Sequence, residues 1–200
     1  MPYVLTVDQK GSRRTADRVD DVLRELNDAV PSAVLAFERT AGDEFQGVLD
    51  DPGVVVDVVL WLVRSGGWSI GVGAGPVQTP LPPSTRAATG PAFLSARRAV
   101  DAAKPRPSRI AVRGASPSDA SDAQAVLSAL AVLVDRRSEQ AWEAIALVGG
   151  GRTQAQAATS LGVSRQAVGQ RLAAGLWELE QELRPTGARL LARAEGVGEA

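Results

Sequence analysis

The stretch TQAQAATSLGVSRQAVGQRLAAGLW, Thr153–Trp177, constrains the fold more tightly than any other part of the chain. Thr153 is placed to cap a short helix on which Ala157, Ala158 and Leu161 share one face. Gly162 follows, where a tight turn needs a positive φ that glycine adopts without steric cost. Val163 fills the angle between two helices, and Ser164 caps a second helix with Val168 and Leu172 inward. Ala158 is small where that second helix crosses. Small residue, glycine turn and inward valine at this spacing meet the requirements of a helix-turn-helix.

The outward side chains of the second helix are expected to be Arg165, Gln166, Gln170 and Arg171. Arginine and glutamine pair in two-pronged fashion with the edges of guanine and adenine. From Ala144 to Trp177 the only charged residues are Arg152, Arg165 and Arg171. Charge of one sign over that length suits a phosphate-facing surface. Arg152, Thr153 and Ser164, at the helix starts, complete the candidate DNA-binding set. A helical hairpin used for protein contact is the alternative.

Composition narrows the chemistry. The chain has no cysteine and no histidine, which removes thiol nucleophiles, disulfides, zinc fingers and imidazole acid–base catalysis. Any metal must sit on oxygen ligands, which points to magnesium, manganese or calcium. A formal net charge of -1 masks local basic patches and does not argue against nucleic acid. The N-terminus enters an apolar alternation without a charged leader. The longest apolar run, Val54–Val63, is too short for a bilayer and carries Asp57. A cytoplasmic protein with no membrane partner is expected.

Ahead of the helical part, β-branched and helical periodicities alternate. Strands are expected at Tyr3–Val7, Ala33–Arg39, Phe45–Leu49, Trp68–Ala74 and Arg109–Val112. Helices are expected after a Thr15 cap up to Pro31, at Val54–Arg64 and at Gly90–Lys104. This order implies an α+β domain, a mainly antiparallel sheet with helices on one face. Arg113–Ser121 reads as a linker, and everything beyond as helix: Asp122–Val134, Ser138–Val148, Thr153–Ser160, Ser164 to about Leu183, and a short tail helix near Ala188–Ala194. The expected division is residues 1–117 and an all-α domain of residues 118–200.

The stretch FERTAGDEFQG, Phe37–Gly47, adds chemistry. With the first strand ending at Asp8, Asp8 and Asp43 are expected side by side at one sheet edge. Two such carboxylates repel unless a cation lies between them, as in magnesium sites for nucleoside triphosphates. Backbone N–H groups of the loop at Lys10, Gly11 and Ser12 would face phosphates, with Lys10, Arg13 and Arg14 adding charge.

The segment LGVSRQAVGQRL resembles the helix-turn-helix of sigma-factor region 4 and of many bacterial repressors. The front half resembles the ferredoxin-like palm of class III nucleotidyl cyclases. It does so through VDQKGS, RTAGDEFQG, IGVGAGPV and TGPAFLSARRA, in that order. The combination resembles the SatD family of small bacterial proteins, over nearly the full chain. The palm resemblance implies metal-binding aspartates at Asp8 and Asp43, and nucleotide contacts from Lys10, Gly11, Ser12, Arg39, Gly42 and Arg98. It implies a magnesium–nucleotide ligand. Leu94 stands where the cyclases place a ribose-orienting asparagine, and an apolar side chain cannot make that contact.

The expected function is therefore a dimeric DNA-binding transcriptional regulator whose palm senses a nucleotide without cyclising it. An active small nucleotidyl cyclase, or a related phosphoryl-transfer enzyme targeted by the helix-turn-helix, is the alternative.

Overall fold

The computed structural model describes residues 2–12 and 14–196; Arg13, counted above among the loop cations, lies outside them. The fold is α+β, a five-stranded mixed sheet with eight α-helices among the described residues. In chain order these are β1 Tyr3–Gln9, α1 Val19–Ala29, β2 Leu35–Ala41, β3 Glu44–Leu49 and α2 Pro52–Ser65. Next come β4 Trp68–Ala74, α3 Pro91–Ala103, β5 Ile110–Arg113 and α4 Pro117–Asp135. The chain closes with α5 Glu139–Gly149, α6 Gln154–Leu161, α7 Arg165–Ala174 and α8 Trp177–Ala194. None of these helices is long and apolar enough to cross a membrane.

The sheet order is β2-β3-β1-β4-β5, with antiparallel neighbours except the parallel β4–β5 pair. Side chains alternate across it. Tyr3, Leu5, Val7, Ile70 and Val72 enter one core with α1, α2, α4 and α8. Val4 and Val48 enter a second core with Ala92, Phe93 and Ala96 of α3. Helices therefore cover both faces, a correction to the expected one-sided packing. Two glycines of β4 make this possible. A Cβ at Gly71 would lie 2.2 Å from the Val100 nitrogen, and one at Gly73 would lie 2.1 Å from the Ala92 oxygen. Only bare backbone lets α3 come so close.

Several local expectations give way. Thr15 does not cap α1; its hydroxyl donates to the Gly11 carbonyl at 3.3 Å, and Arg18 stands at the cap position. The expected linker is largely the first turns of α4, which starts at Pro117, where a proline loses no helical hydrogen bond. The long helix expected after Ser164 breaks at Leu176, whose φ of 51° is left-handed. From Trp177 the chain continues as one helix through Pro185, without the stop expected near Leu183.

The main core also runs across residue 117. Leu127, Leu130 and Val134 of α4 and Leu191 and Ala194 of α8 share it with the sheet and α2. The apolar stripe of α4 is thus consumed internally. The two helices are antiparallel: the Ser116 N–H donates to the Ala194 carbonyl at 3.3 Å, and Arg137 Nε donates to the Gly175 carbonyl at 2.7 Å. Residues between them build a separate core of Ala144, Ile145, Ala157, Ala158, Val168 and Leu172.

Candidate nucleic-acid interface and the cavity beside the hairpin

In the small core formed by α5, α6 and α7, each helix start is satisfied locally. Thr153 Oγ1 accepts from the Gln156 N–H at 3.2 Å, while Gln156 Oε1 accepts from the Thr153 N–H at 2.9 Å. That reciprocal pair closes two of the open donors of α6. Ser164 Oγ accepts from the Ala167 N–H at 3.1 Å, which starts α7. Between them Gly162 takes φ 66° and ψ 30°, and the Val163 N–H returns to the Ala158 carbonyl at 3.1 Å. Val163 packs onto the small core, with Ala158 buried beneath it.

Arg165, Gln166 and Gln170 are exposed along one side of α7, opposite the buried Val168 and Leu172. They are free to reach a groove. Arg171 is not: it is half-buried and pairs with Glu143 of α5 at 3.2 Å. The expectation that it points outward is corrected, because at its helical angle it meets α5 rather than solvent. Arg152 is exposed and donates to Ser160 Oγ at 2.5 Å, beside Gln156 and Thr159. The arrangement is chemically suited to a duplex: a guanidinium and two amides for base edges, a second guanidinium for phosphate.

The hairpin of β2 and β3 builds a different place. Asp8, Gln9, Gly11, Ser12, Arg14, Asp43 and Lys104 surround a cavity of about 370 Å³. The β1–β3 register sets Asp8 opposite Glu44, and the Gln9 N–H donates to the Asp43 carbonyl at 3.1 Å. Asp8, Asp43, Gly11 and Ser12 therefore do converge. The other expected residues do not join them. The Lys10 N–H is spent on the Gly67 carbonyl at 2.7 Å, and Lys10 lines another cavity, with Trp68 and Arg109. Arg39 is held by Asp17 at 2.8 Å, by Asp20 at 2.9 Å and by the Gly42 carbonyl at 2.7 Å. Arg98 is exposed on α3 and Leu94 is 63% exposed.

The charged residues that reach the sheet from α3 and its C-cap are Arg97 and Lys104, seven positions apart. Arg97 pairs with the buried Glu44, whose Oε1 also accepts from Thr40 Oγ1 at 2.9 Å. Lys104 Nζ lies 3.0 Å from Asp8 Oδ2 and 3.5 Å from Asp101 Oδ1. Burial works to lower the Lys104 pKa, but the hydrogen bond and charge of Asp8, with Asp101 adding, hold it above its ordinary value. Sequence reasoning missed Lys104, which stands at the C-cap of α3 and meets Asp8 only through the packing of that helix on the sheet.

Magnesium does not fit this arrangement. Its two expected carboxylates, Asp8 and Asp43, are not both free, since Asp8 already carries the Lys104 ammonium. Of the two carboxylates on the cavity wall, that of Asp43 makes no hydrogen bond or ion pair among the described residues. No family model, curated protein or solved structure matches the chain.

Proposed function

We propose that the protein is a DNA-binding transcriptional regulator that works as a dimer. In this reading α6 and α7 form a helix-turn-helix, with α7 as the helix that enters the major groove. The single observation that carries it is the exposed row Arg165, Gln166 and Gln170 on a helix whose start, turn and inner face are each satisfied independently. Arg152 supplies the phosphate contact. A dimer follows from the energetics of recognition, because one such helix contacts too little DNA for tight specificity. The front half acts as the sensory part and resembles a ferredoxin-like cyclase palm, and its combination with the helix-turn-helix resembles the SatD family. Its cavity at Asp8, Gly11, Ser12 and Asp43 is the place for a nucleotide effector.

The test is selection of bound fragments from sheared genomic DNA, followed by gel retardation. The wild type is expected to retard selected fragments, with affinity falling as salt rises. Arg165→Ala together with Gln170→Ala is expected to abolish retardation while leaving the circular dichroism unchanged. Retardation by that double variant equal to the wild type would remove the reading. Cyclic nucleotide formed from ATP or GTP would instead promote the phosphoryl-transfer alternative.

A further inference from the structure

We infer that Lys104 is a built-in counter-cation that occupies the position a divalent ion would need against Asp8, and so sets the hairpin cavity against metal. This stands apart from the DNA-binding reading and concerns the front cavity alone.

Three observations converge on Lys104. Its ammonium is 3.0 Å from Asp8 Oδ2, within contact of the carboxylate at the cavity wall. It is steadied from the far side by Asp101 at 3.5 Å. Its backbone is fixed at the end of α3: the N–H donates to the Val100 carbonyl at 3.3 Å, and its own carbonyl accepts from Arg109 Nη1 at 2.9 Å. Arg109 is in turn tied to Ser69 at 2.6 Å, the residue opposite Asp8 on β4. The lysine is thus delivered to Asp8 by a chain of contacts running through the neighbouring strand.

A divalent ion at Asp8 would face this ammonium at close range, and like charges at that distance repel strongly. The remaining ligands are too few to compensate. Glu44 is committed to Arg97 and Thr40, which leaves Asp43 as the one unpaired carboxylate of the hairpin among the described residues. Removal of the ammonium leaves Asp8 and Asp43 on one cavity wall with Arg14 as the remaining cation among the described lining residues, a net negative charge that favours a hard cation.

The experiment uses the full chain and manganese alone, read by the loss of the free-ion electron paramagnetic resonance signal. Lys104→Gln, which removes the charge and keeps a polar side chain, is expected to bind manganese at least about tenfold more tightly than the wild type. Lys104→Arg is expected to remain as weak as the wild type. Asp8→Asn in the Lys104→Gln background is expected to erase the gain. Circular dichroism and melting temperature verify that each variant is folded, and Lys104→Met serves where Lys104→Gln is not. Manganese binding by the wild type as tight as by Lys104→Gln overturns the inference. So does a gain that survives Asp8→Asn, or no gain at all.

Discussion

Arg137 and Glu180 meet at the corner between α4 and α8 with charged groups 2.5 Å apart and both side chains only 1% exposed. Among the described residues, Arg137 Nη2 and Glu180 Oε2 pair by charge without hydrogen-bond alignment. Arg184 adds a second cation to Glu180 at 2.5 Å and also reaches Asp57 of α2. Trp142 stacks between Arg137 and Arg64, with guanidinium-to-ring distances of 4.8 Å and 4.2 Å. This group joins the small helical core to the main one.

Removal of one partner from such a pair strands the other charge in a dry setting. Glu180→Ala is expected to cost about 3–5 kcal/mol in urea denaturation. Exchange of both residues for apolar ones of similar volume, Arg137→Met with Glu180→Leu, is expected to cost far less. Equal losses in the two variants would show that packing, not charge, dominates this corner.

The pairing of Arg171 with Glu143 makes a separable claim about DNA contact. Arg165→Ala is expected to weaken retardation much more than Arg171→Ala does. Glu143→Gln releases the Arg171 guanidinium and removes a nearby negative charge, so it is expected to strengthen binding and steepen the salt dependence. An unchanged salt slope in Glu143→Gln would place Arg171 outside the interface.

Glycines at two places carry different loads. Gly162→Ala meets open space and pays only the left-handed backbone strain, about 1–2 kcal/mol. Gly73→Ala drives a methyl group to 2.1 Å from the Ala92 oxygen and is expected to cost about 3 kcal/mol through displacement of α3. Urea midpoints of the two variants check the order, and the reverse order would refute the packing argument.

The hydrogen bonds from Arg39 and from the Val19 N–H hold the Asp17 carboxyl below its ordinary value of 3.8. A carboxylate whose folded pKa is depressed stabilises the fold above its unfolded value, and that contribution is lost as the pH falls through the folded one. A carbon-13 titration is expected to give an Asp17 midpoint below 3.8 in the wild type, moving back toward 3.8 in Arg39→Gln. A wild-type midpoint at or above 3.8 would contradict the pairing.

Local patterns carried most of the fold. The Thr153 and Ser164 caps, the Gly162 turn and the alternation within each strand depend on residues a few positions apart, and sequence spacing reports such relations directly. Pro117 was misread because the same residue signals a loop and the first turn of a helix. The break at Leu176 had no local signal, since a left-handed leucine is held there by its surroundings, with the Gly175 carbonyl bound by Arg137. The candidate sites were legible only in part for a related reason. Asp8 and Asp43 converge through strand pairing, which alternation reveals. What neutralises Asp8, Arg39 and Arg171 comes from other elements, and no spacing rule reaches that far.

The antiparallel union of α4 and α8 brings the two ends of the intervening bundle next to each other. The small helical bundle is therefore a head inserted at a single doorway into a scaffold that closes without it. Excision of residues 139–176, with a short loop rejoining the two helices, should leave a folded scaffold. Such a layout also allows one head to be exchanged for another while the rest of the molecule stays untouched.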